Sequence, residues 1–297
     1  MIPDRTPHAH HRPADLTLTA ASVLADRCQH PREVHLEFDG DVYESMSLQA
    51  LAGHLDVRGR ESNTIEITRR LCADSAERLE TMDIEGTTYG HALEVTVVIP
   101  RNGWGGWGNE YAYVDVEARV PHGLGVAIRD SSGDVEIDGI NLLSVDDSSG
   151  RIRTRRTTGD ATIGDSSCDI RVSEHEGSLE IEDSSGMIDV RNVSGLVLIP
   201  ADSSGDIRVH GAGDVSIERD GSGDIEVANV RNGVRIGSDG SGSIHVSGVG
   251  PGGIDIGSDG SGNVKVVGVE GDFRVSRKGS GNVSSKDVLG MVEVPHR

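Results

Sequence analysis

Apolar and polar residues alternate in short runs along most of the chain, and these runs recur at a near-constant period. After a turn at Asp239–Gly242, the segment Ser243–Val246 alternates between polar and apolar residues, and a second alternating run, Gly253–Ile256, follows. Alternation with a period of two predicts strands that bury one face. Val249 lies between the two runs and predicts one further inward contact in each period.

The turn repeats together with the strands. Nine copies of Asp-Ser-Ser-Gly, Asp-Gly-Ser-Gly or a close variant begin 17 to 20 residues apart, the first at Asp130 and the last at Lys278. A constant period of this kind is typical of a solenoid. Strands this short cannot bury an apolar face alone, but coils stacked in register pair their strand edges. The repeat therefore predicts that Ile244 lies beside Ile225 in one neighbouring coil and beside Val264 in the other.

We accordingly predict an all-β fold, a single-stranded parallel β-helix (β-solenoid) of about 18–19 residues per coil. A right-handed coil is the expectation, although the repeat itself leaves the hand open. Residues 1–30 are expected to be an N-terminal tail or a degenerate signal segment, residues 31–121 irregular coils and residues 122–297 regular repeats. A separate small β domain ending near Pro121 is the alternative for the early part. Asp74–Met82 is expected to form a short helix or a loop.

Two positions of the turn are constant or nearly so within the repeat. Serine occupies the third position in all nine copies, and glycine the fourth in eight, with Cys168 as the exception. A corner that needs positive φ or close backbone approach selects glycine, and stacked hydroxyls can satisfy each other or the corner backbone. Nucleophilic serines would need a base nearby, and the histidines do not repeat in step with them. We interpret these columns as structural, including Ser222, Gly223, Ser241, Gly242, Ser261 and Gly262.

The first turn position places one aspartate in most coils. Stacked carboxylates repel each other, and calcium would relieve that repulsion. Calcium-binding nonapeptide repeats, however, place aspartate close before the inward apolar residue, whereas Asp239 precedes Ile244 by five residues. An aspartate that caps its own turn in solvent is therefore favoured. No cofactor and no metal are expected, and the calcium column that stays open as an alternative consists of Asp202, Asp220, Asp239 and Asp259.

Composition narrows the classes of partner. The formal net charge is −21, which repels nucleic acid and anionic lipid, so neither is expected as a partner. No run approaches the roughly 18 apolar residues needed to cross a bilayer, so membrane insertion is not expected. Aromatic residues make up only 3% of the chain, which predicts a core of Ile and Val ladders. The last strand invites end-to-end pairing, but the net charge opposes it, and a monomer is expected.

Two segments carry candidate chemistry. Trp104 and Trp107 lie in a glycine-rich loop, where they could stack on sugar rings or pack back over the solenoid. Arg151–Arg156 is the one dense basic patch. Together with Asp146 and Asp147 it could form a polysaccharide-cleaving site, but an outward strand face that balances neighbouring acids is the favoured interpretation.

The segments Val98–Gly103 and Val114–Ile140, with the serial Ser-Gly-Asp-Ile/Val units after them, resemble a bacterial family known as "putative adhesin", a family of unknown function with β-strand repeats. The resemblance covers roughly Val34 to Val294. It implies a β-helix and an extracytoplasmic setting at the cell envelope, and it implies no activity or catalytic residue. The family usually has a clear signal peptide, and we expect the one here to be missing or degenerate.

The three cysteines show no zinc-type spacing, and Cys28 and Cys72 could pair in an oxidising compartment, leaving Cys168 odd. Their positions match the cysteine layout of the family that the chain resembles, which implies a disulfide between Cys28 and Cys72.

These observations favour a non-catalytic structural or adhesin-like β-solenoid that presents an acidic surface to a protein or glycan at the bacterial cell envelope. A calcium-binding repeat solenoid is the first alternative, and a polysaccharide-acting enzyme on a β-helix is the second. The preference for a non-catalytic role rests on the repeat, which no polar dyad or triad interrupts.

Overall fold

The computed structural model describes residues 28–99 and 111–295. The expected tail or signal segment lies almost wholly outside the described residues, and so do Trp104 and Trp107. The described chain contains 26 strands, which form two long ladders joined where Asn141 of one ladder pairs with Thr158 of the other.

Each ladder runs along the whole stack of coils, and each strand in it is hydrogen-bonded to the next. In order of pairing, the first ladder consists of β1 (His30–Asp39), β4 (Thr64–Ala73), β7 (Ala112–Pro121), β3 (Leu55–Arg60), β9 (Gly133–Asp138), β11 (Gly150–Thr158), β13 (Asp169–Glu176), β15 (Ile188–Val193), β17 (Ile207–Ala212), β19 (Ile225–Val230), β21 (Ile244–Val249), β23 (Val264–Val269) and β25 (Val283–Val288). The second consists of β5 (Asp83–Tyr89), β6 (Ala92–Val98), β2 (Ser45–Gln49), β8 (Gly125–Arg129), β10 (Asn141–Asp146), β12 (Ala161–Gly164), β14 (Leu179–Glu182), β16 (Leu196–Ile199), β18 (Asp214–Asp220), β20 (Gly233–Asp239), β22 (Gly253–Ser261), β24 (Phe273–Ser280) and β26 (Val292–Glu293).

From β8 onward each coil contributes one strand to each ladder, and neighbouring coils pair in parallel. Ile225 pairs with Ile244, and Ile244 pairs with Val264, so like residues stack on like. The predicted all-β parallel solenoid is confirmed. Its register follows from the alternation, because a slip of one residue would turn every apolar side chain outward.

The core consists of short aliphatic side chains stacked in columns. Ile244, Val246 and Val249 of one coil are all buried, as the sequence pattern predicts. Among the described residues, Phe273 is the only aromatic side chain in the fully buried core. A narrow interior built from two short strands leaves room for Val and Ile but little for rings, which explains the low aromatic content.

The first third of the chain, where irregular coils are expected, stacks its strands out of chain order. Strands β2 and β3 do form a coil, but β6 and β7 flank it on one side and β8 and β9 on the other, so stacking order departs from chain order. Three pairings at this end are antiparallel: β1 with β4, β4 with β7, and β5 with β6. Strands β1, β4 and β5 cover the edges of β7 and β6, which would otherwise lie open at this end of the stack.

A disulfide fastens this antiparallel end. Cys28 and Cys72 are bonded, with their Cα atoms 5.8 Å apart, as the family resemblance implies. The bond joins residues 44 apart in sequence, and closing a loop of that length stabilises by about 4 kcal/mol.

The segment expected as a short helix or a loop is the helix α1 (Ala76–Thr81), which begins where the Ser75 side chain accepts a hydrogen bond from Arg78 N. The only other helical segment among the described residues is a 3-10 turn at Gly40–Val42, and neither has the length and apolar character to cross a bilayer.

A second corner, at the end of the first-ladder strands, requires the left-handed backbone region, and the sequence pattern does not predict it. Its φ values lie between 52° and 80°. Arg156 and Glu174 adopt this conformation although side chains like theirs disfavour it. The corner positions are Gly139, Arg156, Glu174, Asn192, Gly211, Asn229, Gly248, Gly268 and Asp287.

Replacing Gly242 with alanine tests the glycine column at the first corner. Gly242 has φ of +144°, and a Cβ there would lie 1.7 Å from the carbonyl oxygen of Gly223 in the preceding coil. We expect Gly242→Ala to lower the free energy of unfolding by about 1–3 kcal/mol or more, because it adds both strain and a backbone clash. Denaturant titration measures the change. Gly123→Ala is the matched control, since nothing lies within 4 Å of an added Cβ there; equal stability of the two variants would contradict this account of the corner.

Candidate functional site

The repeated aspartates form a buried column inside the corner of the solenoid. They are between 3% and 9% exposed. The expectation that these turn aspartates lie in solvent is therefore wrong. Asp220 pairs in register with Asp202 and with Asp239, and Asp239 with Asp259, which places the carboxylates about one strand spacing apart. The aspartate column consists of Asp130, Asp147, Asp165, Asp183, Asp202, Asp220, Asp239 and Asp259.

Four of the eight aspartates accept hydrogen bonds from backbone amides of their own turns: Asp147, Asp165, Asp183 and Asp202. Asp147 Oδ1 accepts from Ser148 N at 2.7 Å, and Asp202 Oδ1 accepts from Ser204 N at 3.2 Å. The turn therefore needs a short acceptor at its first position, and the positive φ of the closing glycine directs the chain around that acceptor. The carboxylate lies inside the corner because its hydrogen-bond donors lie there.

Burial makes the charged form of these carboxylates costly. Burial, together with the charge of the next carboxylate of the column, raises the pKa of Asp202 to about 6 and that of Asp220 to about 7. The amides of Gly221 and Ser222 point at Asp220 and lower its pKa in part. Even so, neither carboxylate oxygen of Asp220 or Asp239 has a well-formed hydrogen bond from the described residues. The column can therefore take up protons near neutral pH.

The serine and glycine columns line the same corner. Ser149 Oγ donates to Ser131 O of the preceding coil at 3.4 Å, and Ser167 Oγ donates to Ser148 O at 3.1 Å. Gly223 N donates to Ser241 O of the next coil at 3.0 Å. These bonds link the corner backbones of successive coils, and they support the structural role proposed for Ser222, Gly223, Ser241, Gly242, Ser261 and Gly262.

A second candidate site lies on the outer side of the first ladder. The outward side chains of β3, β9, β11, β13 and β15 line a shallow open groove of about 620 Å³. We call it the arginine groove, because five of its nine charged side chains are arginines. Its charged members are Asp56, Arg58, Glu136, Asp138, Arg153, Arg155, Arg171, Asp189 and Arg191.

Most guanidinium groups of the groove have a carboxylate partner. Arg155 Nη2 lies 3.0 Å from Asp138 Oδ2, and Arg191 Nε lies 3.0 Å from Asp189 Oδ1. Burial favours a higher pKa for Asp138, but hydrogen bonds from Arg156 and Arg155 outweigh it and lower the pKa. Arg151–Arg156 is thus an outward strand face balanced by the acids of β9, as favoured from the sequence.

The acids expected from the sequence beside this basic patch lie elsewhere. Asp146 is on β10 of the other ladder, where its Oδ2 lies 3.7 Å from Arg129 Nε. Asp147 points into the interior as part of the aspartate column. The structure therefore does not bring Asp146 and Asp147 together with Arg153 and Arg155, because the corner between the two strands directs the acids away from the groove.

Two buried polar residues were not predicted from the sequence. His175 is 1% exposed, and burial lowers its pKa; its Nδ1 lies 2.9 Å from Thr157 Oγ1. Arg69 is also 1% exposed, and burial lowers its pKa to about 9. The alternation of β4 contained the signal for Arg69, since it shares the inward positions of Ile67 and Leu71.

Comparison with known proteins gives low-scoring structural matches. No protein-family profile and no curated protein matches the sequence. A putative cell adhesion protein from Clostridium sporogenes ATCC 15579 is 13% identical with a TM-score of 0.30, covering 86% of this chain and 99% of its own. A putative adhesin from Bacteroides fragilis NCTC 9343 is 14% identical with a TM-score of 0.32, covering 88% and 96%. A putative lipid binding protein from Parabacteroides distasonis ATCC 8503 is 14% identical with a TM-score of 0.32, covering 90% and 98%.

The pH dependence of stability tests the aspartate column. The pKa of Asp220 is higher in the folded chain than the ordinary value of about 3.9, so the folded state binds more protons between about pH 4 and pH 7, and stability falls as the pH rises through that window. We expect thermal unfolding midpoints to be higher at pH 5 than at pH 8. Asp220→Asn keeps an acceptor oxygen but no charge, and it should stabilise the chain at pH 8 by on the order of 1 kcal/mol.

The control for this variant is Glu218→Gln, an exposed residue of the same strand β18. It removes the same charge outside the column and should leave the pH profile unchanged. A profile in which stability rises from pH 5 to pH 8, or in which both variants behave alike, would contradict the raised pKa values.

Proposed function

We propose that the protein is a non-catalytic, adhesin-like recognition module that binds an acidic glycan of the cell envelope in the arginine groove. The observation that carries this proposal is the pairing of Arg153 with Arg171 on neighbouring strands β11 and β13. Their positions are one strand spacing apart, and like charges placed directly opposite each other on a sheet destabilise it.

Each arginine of this pair has its own carboxylate partner, Glu136 on the neighbouring strand β9 and Asp169 on the same strand as Arg171. Glu136 Oε1 lies 3.6 Å from Arg153 Nη1, and Asp169 Oδ2 lies 3.2 Å from Arg171 Nη2. Neither carboxylate bridges the two guanidinium groups. A carboxylate or sulfate of a glycan placed between them would receive charge-assisted hydrogen bonds from both. The neighbouring acids Glu136 and Asp189 offer acceptors for sugar hydroxyls along the same groove.

The solenoid suits this role because it keeps the groove rigid. Both arginines lie in the middle of strands that are paired on both sides, so little conformational entropy is lost when a polymer binds. The net charge of −21 opposes an acidic ligand at long range. Recognition of an acidic glycan therefore depends on the local geometry of the groove. This binding surface differs from the acidic surface that the composition leads us to expect.

The disulfide supports a place outside the cytoplasm for this function. Bonds such as Cys28–Cys72 form and persist in oxidising compartments. We accordingly propose the periplasm or the cell surface as the working location, with a protein or glycan surface as the partner.

Binding to a glycan array measured with the full chain tests the proposal. We expect Arg153→Gln combined with Arg171→Gln to weaken binding to acidic glycans at least tenfold, because both donors of the bridging site are lost. Arg235→Gln combined with Arg274→Gln is the matched control, since it removes the same charge from strands β20 and β24 of the other ladder. Absence of acidic-glycan binding by the parent chain, equal loss in both double variants, or cleavage of the glycan would overturn the proposal.

Calcium binding by the aspartate column is the second candidate function. The buried, unpartnered oxygens of Asp239 and Asp259 favour it. Calcium, however, takes 6–8 oxygen ligands at about 2.3–2.6 Å, and a single column of carboxylates one strand spacing apart gives few of them to any one ion. We expect thermal unfolding at pH 8 to have the same midpoint with calcium as with a chelator. A midpoint that rises with calcium and does so less in Asp239→Asn would establish this function instead.

A further inference from the structure

The one coil whose corner lacks glycine combines a thiol with two buried carboxylates. Cys168 occupies the glycine position of its turn and is 3% exposed. Its Sγ lies 3.9 Å from Asp147 Oδ2 of the preceding coil. One carboxylate oxygen each of Asp147 and Asp165 and the sulfur of Cys168 all lie within 4.8 Å of one another. This trio occurs once along the described part of the column.

Buried carboxylate oxygens without a hydrogen-bond donor occur along the aspartate column, and this corner holds one of them. Asp165 uses one carboxylate oxygen to accept from Cys168 N, and its other oxygen, Oδ1, accepts no hydrogen bond although the side chain is only 9% exposed. In the next coil Asp183, which is 5% exposed, leaves Oδ2 without a partner as well. Buried acceptors without donors are costly, and a cation would satisfy them.

From this arrangement we propose that Asp147, Asp165 and Cys168 bind one zinc ion, which ties two successive coils together at the corner. Zinc lies about 2.3 Å from a sulfur ligand and about 2.0–2.2 Å from a carboxylate oxygen, so its tetrahedral ligands are about 3.5 Å apart. Side-chain rotations that move each ligand atom by less than about 1.5 Å bring the three atoms to that spacing. The fourth position is left for water or for Asp183.

The sulfur decides between zinc and calcium. Calcium binds oxygen ligands, whereas a thiolate selects zinc and similar borderline metals. Zinc displaces the proton of the Cys168 thiol to water, and the thiolate forms the metal bond. Burial and the hydrogen bond with Asp165 raise the pKa of the free thiol, so without a metal it stays protonated and is a poor nucleophile. A redox or catalytic role for this thiol is correspondingly disfavoured.

The turn that covers this site is exposed to solvent. Ser166 and Ser167, which lie between Asp165 and Cys168 in the turn, are both exposed. The site is therefore separated from solvent by a two-residue turn and not by a full coil.

Titration of the full, disulfide-bonded chain with Co²⁺ as a spectroscopic substitute for zinc tests the site. Because Cys28 and Cys72 are bonded to each other, Cys168 is the only thiol in the chain. We expect a thiolate-to-cobalt charge-transfer band in the near ultraviolet that saturates at one ion per chain and disappears when zinc is added. Asp165→Asn should weaken the apparent affinity at least tenfold.

Cys168→Gly is the matched control, because it restores the residue found at this corner in the other eight copies of the turn. Circular dichroism shows that the variant folds, and it should give no charge-transfer band. Histidines of the N-terminal segment, such as His8 and His10, remain in this variant, so any cobalt that they bind is recorded separately. No charge-transfer band in the parent chain, or the same band in Cys168→Gly, would overturn the proposal.

Discussion

Parallel backbone pairing between successive coils is the constraint on which the rest of this structure depends. Each coil donates to and accepts from its neighbours in register, as where Ile244 pairs with Ile225 on one side and Val264 on the other. Whatever the sequence places at one position of a coil therefore meets its counterpart one strand spacing away. For Ile and Val this stacking builds the core. For glycine it allows backbones to approach closely at the corner, and for aspartate it brings like charges together.

The aspartate column shows two demands in conflict. The turn needs a short acceptor for its amides, which the hydrogen bond from Ser148 N to Asp147 Oδ1 satisfies. The same geometry buries the carboxylate and raises the pKa of Asp130, Asp183 and Asp239 to about 6. Asparagine would accept the same hydrogen bonds without the charge. The aspartates therefore make the corner responsive to protons in a way that an amide column would not be.

Sequence periodicity predicted the parts of the fold that repeat and missed the parts that do not. The pairing of Ile225 with Ile244 and the positive φ of Gly242 both follow from the period, because every coil supplies independent evidence for them. The insertion of β6 and β7 outside β2 and β3 occurs once, and alternation within a strand does not specify which strand lies beside it. Antiparallel β4 was missed for the same reason.

The candidate sites also differ in how far the repeat predicts them. The balanced face of Arg151–Arg156 was predictable because alternation assigns its side chains outward. The burial of the aspartates was not predictable, because the alternation ends at the turn. The direction of a side chain in the turn depends on the conformation of the corner that follows it. The site around Cys168 could be predicted only in part from the sequence. The sequence shows that cysteine replaces glycine once, but only the stacking of Asp147 on Asp165 shows that the thiol faces two carboxylates. A departure from a repeat is thus most informative where it interrupts a column of buried like charges, because a single thiol there faces two carboxylates.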